Sequence, residues 1–277
     1  MNKLQLLLLA LMLLVSYGCD SETIEDNLLD PSPYVPPVNT EVKYPIIAHR
    51  GSWYQNGLPQ NSMAALREAL SLDIFGSECD VWKAKDGVLV ISHDKMYSGL
   101  DITKSTYEQL AQFPLSNGEI LPTLDDFLVE VGNSPTITKL VIELKSNATV
   151  NDVLEAVNRW GLIGKVIFIT YSYSKCQAFA QKGYGDITYF VGHSHTPEEV
   201  KNDGIGGFYY VEEDMKNEGN VDWVDWAKDV GVQLILGSVT SPQIMFKYIE
   251  QGCLFSSNKP VTLVQAIDAK LNELIEE

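Results

Sequence analysis

From Ile46 onward the chain alternates, with one interruption, between short apolar runs rich in β-branched residues and longer segments of helical periodicity. The strand-like runs are expected at Ile46–Ala48, Ile74–Trp82, Leu140–Leu144, Val166–Tyr171, Ile187–Val191, Gly207–Val211, Gln233–Leu236 and Cys253–Ser256. Helical patterns follow them at Ser62–Leu72, Leu124–Val131, Val150–Trp160, Ser174–Lys182, Pro197–Asn202, Val221–Val230, Pro242–Glu250 and Thr262–Ile275. Near-continuous apolar strands fit a parallel sheet buried on both faces, with helices as the crossovers. Eight strand–helix units predict an α/β fold, a closed TIM-type (β/α)8 barrel with a small insertion after the second strand. The alternative is an open doubly wound sheet, which would place a ligand where the strand order reverses.

The interruption lies between Lys83 and Pro122. Lys85-Asp86-Gly87 is a turn signal, Val88–Ser92 a short strand, and Tyr97–Glu119 an irregular polar insertion with one weak helix. An insertion at this point in a barrel hangs over the catalytic face, so it is a candidate lid or specificity element.

Residues 1–18 read as a signal peptide, with Lys3 as its charge, Leu6–Val15 as its apolar core and Ser16-Tyr17-Gly18 as its small-residue end. The cysteine that follows, Cys19, makes this resemble a bacterial lipoprotein signal, with ordinary secretion as the alternative. Residues 19–42 carry Pro31, Pro33, Pro36 and Pro37 among acids and amides and read as a lipid-anchored tether. The expectation is an exported bacterial lipoprotein held at the outer membrane or cell surface through Cys19. The folded domain is expected over 43–277. Its cysteines Cys79, Cys176 and Cys253 lie in or beside apolar segments and read as buried free thiols.

The chain has 277 residues, 45% of them hydrophobic, enough for one large barrel domain. A formal net charge of −17 excludes a nucleic-acid partner, because a phosphate backbone would be repelled over most of the surface. An anionic small molecule must find a local positive site.

Such a site is encoded in four clusters at strand ends: His49-Arg50-Gly51, Glu78-Cys79-Asp80, Ser92-His93-Asp94 and Glu143-Leu144-Lys145. Strand residues two apart share a face, so Glu78 and Asp80 both point into the barrel mouth while Cys79 points to the helices. Glu143 and Lys145 repeat that spacing. Carboxylates converging in a small volume repel one another unless a cation sits among them, and all-oxygen ligation suits Mg²⁺ or Ca²⁺. The simpler reading is that the acids pair with Arg50, Lys83 and Lys145. His49 and His93 are candidate general base and acid, because an imidazole titrates near neutral pH. Arg50, with its fork of donors, and Lys145, as a point charge, suit the non-bridging oxygens of a phosphate.

Together with Leu58-Pro59-Gln60-Asn61-Ser62, Lys85-Asp86-Gly87 and Leu121-Pro122-Thr123-Leu124, these clusters resemble, in order and spacing, the glycerophosphodiester phosphodiesterase family. The resemblance covers the first half of the folded domain; the second half shares only the βα rhythm. It implies a metal-dependent phosphodiesterase in which Glu78, Asp80 and Glu143 bind the divalent ion. His49 and His93 would exchange protons, Arg50 and Lys145 would hold phosphate, and Asn61 would order the site. The implied substrate is a small glycerophosphodiester, split into an alcohol and glycerol 3-phosphate. The chain departs from the family pattern at four places. Gln60 stands for Glu, Met96-Tyr97-Ser98 for Arg-Thr-Thr, and Asn258-Lys259-Pro260 for an Asp before Pro, while Leu234-Ile235-Leu236-Gly237 lacks a late aromatic residue. A degenerate barrel that binds phosphate-bearing lipids or glycans is the other function class. Of the remaining candidates, His193-Ser194-His195 is expected to be a polar loop, Trp223 and Trp226 to be core, and Trp53 and Tyr54 to line the substrate groove.

Overall fold

The computed structural model describes residues 43–211 and 223–276; the signal, Cys19 and tether expected over 1–42 lie outside them. The chain runs β1 (Ile46–Ala48), α1 (Met63–Ser71), β2 (Gly76–Lys83), β3 (Leu89–Ile91), β4 (Met96–Tyr97), β5 (Leu100–Asp101), α2 (Tyr107–Leu110) and α3 (Leu124–Asn133). It continues β6 (Lys139–Leu144), α4 (Val150–Arg159), β7 (Val166–Thr170), α5 (Tyr173–Gln181), β8 (Thr188–Val191), α6 (Pro197–Asn202) and β9 (Gly207–Val211). It ends α7 (Trp223–Val230), β10 (Gln233–Gly237), α8 (Pro242–Ile249), β11 (Leu254–Ser257) and α9 (Pro260–Glu276).

Eight parallel strands, in the order β1-β11-β10-β9-β8-β7-β6-β2, close on themselves through the β1–β2 pairs Ile47↔Gly76 and Ala48↔Ser77. That closure excludes the open sheet. The alternation of side chains then sorts the chain into layers. Ile47, Val141, Ile167, Ile169, Tyr189, Val191, Tyr209, Ile235 and Leu254 fill the barrel, while alternate residues such as Ala48, Cys79, Ile142 and Phe208 pack outward under the helices. Cys79, Cys176 and Cys253 are all buried, and none of them forms a disulfide. Helices start where the sequence caps them: Thr123, Thr149 and Thr196 form reciprocal capping boxes with Asp126, Asp152 and Glu199.

The insertion is more ordered than its polar composition predicts. β3 runs antiparallel to the end of β2, Val81 opposite Ile91, and β4 and β5 form a small hairpin of their own. Trp82, Ala84, Val90, Ile102, Leu110 and Leu121 make a satellite core beneath it. Its apolar residues are scattered singly through polar sequence, so periodicity gave no sign of that core.

Candidate active site

Barrel parity delivers the predicted side chains to the carboxyl ends of the strands. Gly76, Glu78 and Asp80 face inward on β2, with Val141 and Glu143 beside them on β6; a Cβ on Gly76 would lie 2.9 Å from the Val141 side chain. His49 follows β1, its backbone N–H bonded to Ser257 O at 2.9 Å. The next two residues turn sharply. Arg50 has φ +60°, and Gly51 has φ +80° with a Cβ position only 2.7 Å from the Ala65 side chain, so the helix α1 backbone tolerates nothing larger there. The unusual Arg50 backbone aims its N–H at Glu78 Oε2, 2.8 Å away. Asn61, also left-handed at φ +58°, donates its backbone N–H to Arg50 O at 2.9 Å and its Nδ2 to Asp80 Oδ2 at 2.7 Å. Left-handed non-glycine residues cost energy and persist where surrounding bonds hold them.

One carboxylate oxygen from each of Glu78, Asp80 and Glu143 lies within 4.8 Å of the others, and all three residues are buried. Both fixed cations are paired with them: Lys145 Nζ with Asp80 Oδ1 at 2.7 Å and with Glu143, and Arg50 Nε with Asp80 Oδ2 at 3.7 Å. The simpler reading holds for Arg50 and Lys145 but not for Lys83, whose Nζ pairs with Asp152 Oδ1 at 2.8 Å instead, and the pairing that remains does not balance. Three carboxylates face two cations, and Glu78 Oε1 is buried with no hydrogen-bond partner. The titration behaviour follows from that deficit. Burial raises the Glu78 carboxyl well above its ordinary range, and Asp80 and Glu143 raise it further. Burial and Asp80 also raise Glu143. Burial would lower the Lys145 amine, yet Asp80 and Glu143 outweigh it and lift it to about 12. A buried all-oxygen cluster with surplus negative charge and an unpartnered oxygen fits a hard divalent cation.

The histidines differ in setting. His49 is largely buried, with Nδ1 2.9 Å from Asn258 Oδ1 and Nε2 3.9 Å from Glu78 Oε2. Burial and the Arg50 charge depress it to about 4, so it is neutral at pH 7. His93 is more exposed, and its Nδ1 lies 2.9 Å from Asp94 Oδ1.

A family model described as the glycerophosphoryl diester phosphodiesterase family matches residues 49–224. The chain belongs to that family. Within the glycerophosphoryl diester phosphodiesterases it is similar to a probable glycerophosphodiester phosphodiesterase 2 of Mycobacterium tuberculosis, 28% identical over 131 residues. That match spans 46% of this chain and 48% of the mycobacterial protein, about half of each. The crystal structure of a glycerophosphodiester phosphodiesterase from Parabacteroides distasonis superposes with TM-score 0.76 and 28% identity, over 84% of this chain and 100% of that one. A phosphodiesterase from Oleispira antarctica, solved in complex with its product sn-glycerol-3-phosphate, shares the fold at TM-score 0.67 and 22% identity, over 80% of this chain and 96% of that one.

Several contacts were not foreseen. Gln60, a departure from the family pattern, accepts from Arg50 through Oε1 at 2.8 Å, and Asn258, another departure, is the partner of His49. In Leu234-Ile235-Leu236-Gly237, the segment without the expected aromatic residue, Tyr209 of the neighbouring β9 packs against Gly237, where a Cβ would lie 2.6 Å from the Tyr209 hydroxyl. Tyr171, at the end of β7, is 65% exposed and close enough to Glu143 and Lys145 to feel their charges. Glu119 of the insertion accepts from the Met63 and Ala64 N–H groups at 2.9 and 3.1 Å, closing the N-terminus of α1. Of the secondary candidates, His195 stacks on Tyr173 at 3.5 Å between ring centroids, and Trp223 packs on Phe208 and Tyr210. Trp53 donates to His49 O at 3.1 Å and stands beside the site, with Tyr54 exposed next to it.

Proposed function

We propose that this protein is a metal-dependent phosphodiesterase that cleaves glycerophosphodiesters or related phospholipid head-group diesters to an alcohol and glycerol 3-phosphate. The observation that carries the reading is the unbalanced buried carboxylate triad set beside two fixed cations and two imidazoles of unlike environment. Glu78, Asp80 and Glu143 are the proposed ligands of Mg²⁺ or Ca²⁺, and the related phosphodiesterase holding sn-glycerol-3-phosphate supports the choice of product. The bound ion would neutralise the acids and withdraw charge from a phosphate oxygen.

The rest of the chemistry falls to the chain. Arg50 and Lys145 bind non-bridging phosphate oxygens, and Asn61 keeps Asp80 in place through its 2.7 Å bond. His49, neutral at pH 7, takes the proton from the attacking hydroxyl, supplied by water or by the substrate's own neighbouring hydroxyl, which gives a cyclic phosphate that water then opens to glycerol 3-phosphate. As the new P–O bond forms and the P–O bond to the alcohol breaks, His93 gives its proton to the departing oxygen. Asp94 at Nδ1 leaves the other ring nitrogen for that transfer. The test is release of glycerol 3-phosphate from a simple glycerophosphodiester by the full chain with Mg²⁺ or Ca²⁺. Absence of release with either ion would refute the reading.

The lipoprotein reading stands as a second part of the proposal. It rests on the signal and on Cys19, and among the described residues no helix is long and apolar enough to cross a membrane. Metabolic labelling with a radioactive fatty acid should mark the wild-type chain and fail to mark Cys19→Ala.

A further inference from the structure

A cavity of about 300 Å³ opens between the loop before α1 and the insertion. Gln60 and Asn61 form one wall, Met96, Tyr97 and Ser116 the other, and His93 stands at its edge. Its position ties it to the reacting centre. Gln60 is the residue that holds Arg50, and Asn61 the one that holds Asp80, so the cavity begins where a phosphate between Arg50 and Lys145 would end. His93 borders it and His49 does not. The two halves of a diester leave phosphorus in different directions, so the half whose oxygen is protonated by His93 extends into this space.

The lining fixes the chemistry of that half. None of the lining residues is Lys or Arg, and Asp94 contributes a carboxylate. Ser98 and Ser116 offer hydroxyls, and the Gln60 amide nitrogen is a donor beside the oxygen already committed to Arg50. Met96 and Tyr97 supply the apolar surface; the Tyr97 hydroxyl is engaged with Phe113 O at 2.5 Å. The one lining residue that can carry positive charge is His93, and its ring is already paired with Asp94 at 2.9 Å, so an anionic substituent finds no uncommitted cation, whereas a hydroxyl finds donors and acceptors. The volume is at the lower end of the range for small-molecule sites, roughly 300–1,000 Å³. We propose that this cavity is the subsite for the leaving alcohol, and that it selects an uncharged, hydroxyl-bearing alcohol over an anionic one. The assignment rests on the phosphodiesterase reading above.

The test uses the full chain and three diesters of glycerol 3-phosphate that differ only in the alcohol: methyl, 2-hydroxyethyl and carboxymethyl. Wild type should favour the hydroxyethyl over the carboxymethyl ester by about tenfold or more in kcat/KM, mostly through KM. Ser116 is exposed, so Ser116→Lys places a cation in the cavity at little risk to folding, which a melting curve would verify. That variant should shrink the preference by about tenfold. Equal use of the hydroxyethyl and carboxymethyl esters by wild type, or an unchanged ratio in a folded Ser116→Lys, would place the alcohol elsewhere. If the variant does not fold, the wild-type ratio alone decides. Hydrolysis of none of the three would overturn the phosphodiesterase reading itself, an outcome distinct from cleavage of all three without discrimination.

Discussion

Single residues decide the proton transfers, and the two imidazoles differ because of their neighbours. His49→Ala and His93→Ala should each lower turnover by about 10² to 10⁴-fold while leaving the melting temperature nearly unchanged, because losing a positioned base or acid costs that much. Steady-state assays beside melting curves would check both. Asn258 is a neutral partner of His49 at 2.9 Å. Asn258→Asp puts a negative charge there, favours the imidazolium and raises His49 from about 4. A base that stays protonated to higher pH loses activity on the acid side, so the acidic limb of the kcat/KM profile should move upward, and the pH–rate profile of the variant would reveal it. The carboxylates follow the opposite logic. Burial and mutual repulsion make Glu78 and Glu143 hold protons above the ordinary 4.5. Those protons must leave before a cation binds, so Mg²⁺ affinity should keep rising with pH well beyond that value. Calorimetric titration at several pH values from 5 to 8 would show it, and a flat profile would mean that these acids are not the ligands. At this scale much was legible, because the four clusters name the acids, cations and imidazoles that meet. The partners Gln60 and Asn258 were visible only as departures, since their roles depend on which side chain the fold sets opposite them.

At the scale of elements, the insertion and helix α1 act as a unit. Glu119 closes two N–H groups at the start of α1, and the residue just before the Ser62 cap is Asn61, which holds Asp80. Removing such a capping interaction costs about 0.5–2 kcal/mol. Glu119→Ala should therefore lower stability by about 1 kcal/mol and weaken metal affinity through Asn61, and Glu119→Gln, which keeps an acceptor, should restore part of both. Denaturant melts and metal titrations of the pair separate a local cap from a prop for the site: a prop moves both quantities, a cap only the first. No sequence signal marks this contact. Glu119 lies 56 residues from Met63 in a stretch without periodicity, and a carboxylate there reads as solvated. Strands and helices were legible to within a few residues because the barrel buries β-branched runs on both faces. The β4–β5 hairpin escaped because two-residue strands carry no period.

For the whole molecule, barrel closure gathers β1, β2 and β6 into one wall, and so gathers residues from positions 49 to 145 into one buried charged cluster. Closure was legible from the count of strand–helix units, and the choice of ring over open sheet follows from the β1–β2 and β1–β11 pairs. The central claim is that the surplus negative charge of this cluster is completed by a divalent cation used in phosphodiester cleavage. The most direct measurement is a melting curve and a glycerophosphodiester assay of the full chain with chelator and with added Mg²⁺ or Ca²⁺, repeated for Glu143→Gln. Chelator should abolish turnover and lower the wild-type midpoint by several degrees, as loss of a native-state ligand does. Glu143→Gln should need more ion for the same activity. Wild-type turnover and melting that both ignore chelator would contradict the claim, and would leave Arg50 and Lys145 as sufficient partners of the three acids.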